Sequence, residues 1–448
     1  MLGSGKIRVP YTDIPICVEL IREGVVFCIH AEELIATQDD RPQKHFLLFN
    51  PDHFYTELSG FMRLSEKGEE LVLGNQHSFN TIACGQLGGL ELRHLSITHD
   101  GDGLVFRKLI SDAEVRLTLM PDDGRYEELV VRRMQKLVKL RAIYGGPIAP
   151  MSSDAALETL QEVNHLLAEE AYRPHDDRGR PGGVVNLPKP LIPIIVGDLH
   201  AQVNNLLTLL AQNNILELLE SGDAALILLG DAIHSEQEGK LEEMDDSMLI
   251  MDLIFRLKLH FPKQVFYIRG NHDSFSANLT KFGIAQCLLW EAALRKHRGN
   301  AYLAEMEKFY ASLPYVVISD DFVACHAAPI KTRFDHDGLV NIYRNQELVR
   351  ELTSNRLRRR TSPAGYAGAD VRHFRETLKL SEDLLFFVSH SPLDRESAQW
   401  LEAGGIKNHH IVFSANVPWI GVFIKVQHRM IPLSYYREEL LPLVSGEA

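Results

Sequence analysis

The sequence predicts an α/β protein: a large C-terminal part built as a mixed sheet or a two-sheet β-sandwich flanked by helices, preceded by an N-terminal β-sandwich domain. Three observations predict it. After residue 190, continuous apolar runs alternate with stretches whose leucines recur at helical spacing, the pattern of strands buried on both faces of an α/β layer. Between Phe46 and Leu119 the pattern changes to short alternating segments separated by Gly and Asp turns. From Glu169 to Pro190 the chain reads EEAYRPHDDRGRPGGVVNLPKP, whose Pro, Gly and charged residues offer no apolar face, so an exposed linker is expected there. The division is therefore 1–145, β-rich; 146–190, helix and linker; and 191–448.

Each element follows from its own stretch. GFMRLSEKGEELVLG and LSITHDGDGLVFRKL carry the clearest N-terminal strands, and Asp100-Gly101-Asp102-Gly103 between apolar runs predicts a hairpin. Met134 to Leu140 and Ala155 to Ala168 have helical spacing. Beyond the linker, LIPIIV ends at Val196 and is followed by a helical stretch from Gln202 to Glu220. AALILL ends at Leu229 and precedes the helical MLIMDLIFRLKLHF, and QVFYI ends at Ile268. The later runs YVVI, FVAC, LLFFV and HIVF lack regular helical partners, which argues against a strictly doubly wound sheet.

Composition narrows the function. With 448 residues, 45% hydrophobic, the chain buries a full core, and no fixed-period repeat points to a solenoid. Its five cysteines, Cys17, Cys28, Cys84, Cys287 and Cys325, are scattered with no CxxC pair, so neither a disulfide framework nor a thiolate zinc motif is expected. The N-terminal MLGSGKIRVPYTD has no long apolar segment of a secretory signal, and no run reaches the roughly 20 apolar residues that cross a bilayer. A cytoplasmic protein without a membrane partner is expected. A net charge of −13 disfavours nucleic acid, whose binding needs clustered Lys and Arg. The local exception is NRLRRRTS, with Arg356, Arg358, Arg359 and Arg360.

The C-terminal apolar runs stop at metal-competent side chains. LIPIIV gives way to Gly197-Asp198-Leu199-His200, AALILL to Gly230-Asp231-Ala232-Ile233-His234, and QVFYI to Arg269-Gly270-Asn271-His272-Asp273. FVAC is followed by His326 and LLFFVS by His390. Ligands gather at the carboxyl ends of strands in α/β sheets, so these five loops are expected to converge. Two divalent cations roughly 3.5 to 4 Å apart can share a water, lower its pKa and clamp a phosphoryl group. A bridging ligand needs two lone-pair sites and a full charge, which makes Asp231 the candidate bridge. Imidazole with carboxylate suits Mn, Fe or Zn, with Mn preferred here over the all-oxygen ions Mg and Ca. A glycine before the carboxylates and Asn271 lets the backbone turn sharply.

GDLHAQ, LGDAIH, IRGNHD, CHAAP and VSHSP resemble the ordered signatures of the phosphoprotein phosphatase branch of calcineurin-like metallophosphoesterases, as a divergent, bacterial-type member. FRLKLHFPKQVFYIRGNHD, Gly368 to Leu380 and IVFSA at Ile411 to Ala415 extend the likeness over most of Ile192 to Pro432. The resemblance implies the calcineurin-like fold, two divalent metal ions, and phosphomonoester hydrolysis by a metal-activated water. It places Asp198 and His200 on one metal, Asp231 between the two, and Asn271, His326 and His390 on the other, with Asn271 also counted as a substrate contact. His272 stands at the family's general acid, a role that suits an imidazolium next to a departing oxygen.

The departures lie in one motif. Where the family has GDxxDRG, this chain has Gly230 to Glu236 with His234 and Ser235 in place of the Asp and Arg. His234 supplies no carboxylate, so Glu236, Glu238 or Asp273 takes that role, or His234 is itself catalytic. Ser235 supplies no guanidinium fork. The family's other substrate arginine falls within one position of Arg360, Arg269 is expected in a structural ion pair, and Pro418-Trp419 replaces a late-loop tyrosine. The segment from Leu71 to Leu109 is faintly similar to a forkhead-associated domain whose phosphate-binding residues are replaced by Asn75, Glu91 and Leu92, leaving His94, Ile97 and the hairpin. Such a degenerate domain implies a sandwich that binds a protein or packs on the catalytic domain, and a generic β-sandwich extension is the alternative. Three functions are weighed: a protein phosphoserine/phosphothreonine phosphatase, a hydrolase of small phosphoesters or dinucleoside polyphosphates, and a non-catalytic scaffold.

Overall fold

The structure is a computed structural model, and it describes residues 2–3, 5–22, 24–35, 42–49, 62–64, 66–74, 81–83, 93–120, 125–212, 214–237, 239–276, 279, 283–327, 331–394, 397–415, 419–426 and 429–446. The chain divides into two compact units: residues 1–136 with 209–215 and 433–436, and residues 137–208 with 216–432 and 437–448.

The first unit is β-rich. Its strands are β1 (Lys6–Pro10), β2 (Ile16–Leu20), β3 (Val25–Ile35), β4 (Pro42–Phe49), β5 (Met62–Leu64), β6 (Glu70–Gly74), β7 (Thr81–Ala83), β8 (Leu95–His99), β9 (Gly103–Lys108) and β10 (Val115–Leu119). They form two five-stranded sheets, ordered β1-β9-β8-β6-β7 and β10-β2-β3-β4-β5. Residues Ile16, Val18 and Leu20 of β2 are buried at period two, as a strand with one face on a core requires. Phe46 of one sheet packs edge-on against His99 of the other at 4.9 Å between ring centroids, so the expected sandwich is found. The tetrad Asp100 to Gly103 joins β8 to β9 with His99 opposite Leu104, and Gly101 takes φ 104°, open to glycine and strained for other residues. His94 is buried. Asn75, Glu91, Leu92, Glu238 and Pro418 lie outside the described residues.

The second unit is a two-sheet sandwich. One sheet runs β14-β13-β12-β20-β21 and the other β11-β15-β16-β17-β19-β18. The strands are β11 (Val184–Asn186), β12 (Ile192–Val196), β13 (Ala224–Leu228), β14 (Val265–Tyr267), β15 (Val316–Ile318), β16 (Phe322–Cys325), β17 (Leu385–Val388), β18 (Gln399–Trp400), β19 (His409–Val412), β20 (Trp419–Val426) and β21 (Arg429–Tyr436). Between the sheets lies a core of Val185, Ile195, Ile227, Phe266, Val317, Ala324, Phe387, Val412 and Phe423. The alternate residues Val184, Val316, Val323, Phe386 and Ile411 point the other way, onto apolar residues of α8 (His336–Val340), α9 (Gln346–Ser354) and α10 (Gly368–Thr377). Burial on both faces explains why these strands read as unbroken apolar runs.

The remaining helices are α1 (Arg125–Tyr144), α2 (Ser153–Ala168), α3 (Val203–Ala211), α4 (Ile215–Ser221), α5 (Asp245–His260), α6 (Gln286–His297) and α7 (Gly299–Ser312). The two helices expected before residue 170 are present. The stretch from Gln202 to Glu220 forms two helices rather than one, parted where consecutive asparagines, poor helix formers, follow Gln212. Among the described residues no helix is long and apolar enough to cross a membrane.

The stretch 169–190 departs from the expected exposed linker. Val184 and Val185 are fully buried in β11, which pairs in parallel with β15. Glu170 and Arg173 are buried as an ion pair at 2.9 Å, and Lys258 of α5 bonds the other Glu170 oxygen. Arg173 also donates to the carbonyls of Gly182 and Pro181, and Lys258 to those of Pro262 and Val265. The polar composition is therefore spent on mutual satisfaction inside the fold, which composition alone reads as exposure.

Candidate metal centre

Strands β12, β13 and β14 are mutually parallel, as are β16 and β17, so their carboxyl ends carry the five loops. The structure brings the loops together. Asp198, His200 and Asp231 form one group of converging donor atoms, and Asp231, His326 and His390 form a second, each within 4.8 Å. Asp231 belongs to both. All five are buried, with exposures from 0% for His326 to 7% for His390. Asn271 joins the second group through Oδ1, 3.1 Å from His326 Nε2.

The backbone is strained to deliver them. His200, Asp231, His234 and His390 all take positive φ, at 42°, 50°, 67° and 60°. Left-handed conformations of residues other than glycine cost of order 1–3 kcal/mol and persist where surrounding structure over-determines them. Here Leu199 and His200 donate their amides to the Asp231 carbonyl, and the His272 amide donates to Asp231 Oδ1 at 2.8 Å. The glycines serve two purposes. Gly230 takes φ 95°, whereas a Cβ on Gly270 would run into Asp231 Oδ1, so that glycine makes room for the carboxylate.

Hydrogen bonds aim the donors inward. His326 donates from Nδ1 to the Leu229 carbonyl at 2.7 Å, leaving Nε2 facing Asp231 Oδ2 at 3.3 Å and His390 Nδ1 at 3.2 Å. His200 donates from Nδ1 to the His234 carbonyl at 3.1 Å, leaving Nε2 toward Asp198 Oδ2 at 3.7 Å and Glu236 at 3.4 Å. Ser389 accepts from the Asp198 amide and donates to Asp198 Oδ1. Imidazole lone pairs, carboxylate oxygens and an amide oxygen thus face one another, an arrangement of acceptors that fits cations at its centre.

Electrostatics agree with that fit. Burial pushes the Asp198 carboxyl up to about 6, with Asp231 adding to the rise. Burial opposes charge on His326, yet the carboxylates of Asp231 and Asp198 lift it to about 9. Burial lowers His390, with the His326 and Arg356 charges adding to the effect. His272, at the half-buried rim, is pushed down to about 4 by burial, partly offset by Asp231 and Glu236. The acidic centre therefore recruits positive charge.

The residues of the altered motif sort out differently. His234 is buried with its ring 5.0 Å from that of His272. Asp273 is occupied in bracing the loops: it accepts from the amides of Asp231 and Gly270 and from the Tyr267 hydroxyl. Glu236 lies 3.4 Å from His200 Nε2, and its charge opposes the effect of burial on His272. Arg269 donates to the Tyr315 hydroxyl at 3.0 Å, a phenol where an ion pair was expected. Arg360 is exposed, and among the described residues no hydrogen bond or ion pair ties it. Arg356 instead donates to the His390 carbonyl at 3.2 Å. Sequence reasoning named Arg356 only as part of the basic run and gave no role to Ser389 or to Cys287, whose sulfur lies within 4.8 Å of a ring nitrogen of His234 and of His272. Ser389 adjoins a candidate ligand, but no spacing distinguishes Arg356 from its neighbours or marks Cys287.

A strand-end donor cluster on a two-sheet sandwich defines the class, a metallophosphoesterase fold. The family model of the calcineurin-like phosphoesterases matches residues 194–417, and the chain belongs to that family, which is metal-dependent. The chain is similar to the PP2A-like serine/threonine-protein phosphatase PPG1 of Candida albicans, 26% identical over 175 residues, covering 38% of this chain and 34% of that protein. It is also similar to the mouse (Mus musculus) serine/threonine-protein phosphatase with EF-hands 2, 24% identical over 152 residues, 34% of this chain and 18% of that one. The chain thus spans about a third or less of the length of these relatives. A solved Saccharomyces cerevisiae serine/threonine phosphatase with similarity to human PP5 aligns at TM-score 0.47 and 16% identity, over 64% of this chain and 91% of that one.

Proposed function

We propose that the chain is a dinuclear metal-dependent phosphatase that hydrolyses phosphomonoesters of serine and threonine in proteins. The observation that carries this reading is Asp231, whose carboxylate belongs to two donor groups at once. Asp198 and His200 would hold one cation, Asn271, His326 and His390 the other, and manganese suits this mixture of imidazole and oxygen donors. Bound there, the two cations would lower the pKa of a water between them and draw charge from the phosphoryl oxygens. A complete donor set stands against the scaffold reading.

The chain's own residues do the rest. His272 is held by its amide on Asp231 and stands at the rim, where its ring can give a proton to the leaving alkoxide. A phosphate dianion beside it favours the protonated ring and counters the effect of burial. Glu236 acts in the same direction and takes the place of the absent motif carboxylate.

Arg356 is the phosphate contact this reading favours over Arg360, because its guanidinium already reaches the His390 loop. Arg356→Ala is expected to lower kcat/KM about tenfold, the worth of one charge-assisted hydrogen bond, and Arg360→Ala to change it less. Steady-state kinetics of the two variants decide the assignment; the reverse order would return the role to Arg360. Gly270→Ala is expected to cost about 10²-fold in kcat by displacing the Asp231 carboxylate, a loss typical of misplacement by about 1 Å. Turnover within about twofold of wild type would show that the carboxylate has room to spare.

The reading is tested by phosphate release from a phosphoserine/phosphothreonine peptide, an aryl phosphate and a dinucleoside polyphosphate panel, with Mn, Fe, Zn and Mg supplied in turn. Manganese-supported turnover of the peptide is expected. Cleavage of the dinucleotides alone would support the small-phosphoester alternative, to which Ser235 in place of an arginine lends weight. A metal-free, inert protein would overturn both.

A further inference from the structure

His234, His272 and Cys287 form a third donor group, with a ring nitrogen of each histidine and the thiol sulfur all within 4.8 Å of one another. They come from the loop after β13, the loop after β14 and the first turn of α6. His234 and Cys287 are both 0% exposed. Both ring nitrogens of His234 and Nδ1 of His272 are buried and lack a hydrogen-bond partner among the described residues. A buried polar group left so costs about 1–3 kcal/mol, and one nitrogen from each ring, converging with the Cys287 sulfur, calls for a common partner.

We infer that His234, His272 and Cys287 hold a third cation, a soft divalent ion of the zinc type, outside the pair of groups centred on Asp231. The donor chemistry selects it. Two imidazoles and a thiolate suit zinc, whereas the other two groups offer nitrogen and oxygen alone. A tetrahedral site with bonds of roughly 2.0–2.3 Å has donor–donor edges of roughly 3.3–3.7 Å, so three side chains already within 4.8 Å need only a small contraction. Both imidazole donors sit in loops that also carry residues of the Asp231-centred groups, so the ion would lie beside that centre. The His at position 234 that removes a carboxylate from the motif supplies this site with a ligand.

The site has a consequence that rests on the proposed role of His272. A ring bound to a cation through one nitrogen cannot become an imidazolium, and the N–H it keeps on the other nitrogen is a far weaker acid, so filling the third site weakens the general acid. Zinc beyond what the Asp231-centred groups take would then inhibit hydrolysis.

Cobalt titration of the full chain tests the site by spectroscopy. Expected is a thiolate-to-cobalt charge-transfer band in the near ultraviolet, absent in Cys287→Ser and weakened or shifted in His234→Asn, with one cobalt fewer bound by Cys287→Ser. Zinc is expected to half-inhibit Cys287→Ser only at a concentration about tenfold higher or more, with basal turnover retained. No band in the wild-type chain, or a band that survives Cys287→Ser, would overturn the inference; the wild-type result stands even if a variant fails to fold. Because only sulfur gives this band, its absence in an active phosphatase removes the third site alone. A band in a chain that hydrolyses no phosphoester removes the proposed function alone.

Discussion

Asp231→Asn is expected to lower phosphate release by about 10³-fold or more while leaving the fold in place. The substitution keeps the shape of the side chain and the backbone bonds from Leu199 and His200 to the residue 231 carbonyl. It removes the negative charge and one carboxylate oxygen from a side chain that belongs to both donor groups, whose Oδ1 accepts from the His272 amide and whose Oδ2 lies 3.3 Å from His326 Nε2. Charge stabilisation by clamped cations is worth several kcal/mol, and each 1.36 kcal/mol is tenfold in rate, which gives the magnitude. The measurement is kcat together with metal content. A variant that keeps two equivalents of metal and turns over within about tenfold of wild type would end the bridging assignment.

The second large effect is on stability. Glu170→Ala is expected to destabilise the chain by about 3–5 kcal/mol, the usual cost of orphaning a buried charge. Glu170 is the carboxylate between Arg173 and Lys258, whose side chains are 2% and 6% exposed. Its removal leaves two buried cations with carbonyl partners only. Urea unfolding is the readout. Replacing all three residues by apolar ones of similar volume is expected to cost far less, because no charge is then stranded. A loss below about 1 kcal/mol for Glu170→Ala would mean that water reaches the cations.

Much of the architecture is local information. The runs ending at Val196, Leu229, Ile268, Cys325 and Val388 mark the strand ends because burial on both faces of a strand leaves an unbroken apolar word, and the polar side chains that follow announce the loops. The hairpin at Asp100 to Gly103 is equally local, since it depends on backbone freedom at Gly101. Residues whose role depends on a distant partner are not legible in this way. Glu170 and Arg173 read as surface charges until Lys258 arrives from α5, and nothing within NRLRRRTS tells Arg356 from Arg360.

By itself the sequence determined the donor types, their order and the strand ends that carry them, because side-chain chemistry and hydrophobic period act within a few residues. Only the tertiary structure decided that Asp231 belongs to two groups, that Gly270 is needed to seat its carboxylate, and that Cys287 meets His234 and His272. Those facts are distances between segments far apart in the chain, set by how two sheets pack. Packing is a property of the whole fold, which no local pattern encodes.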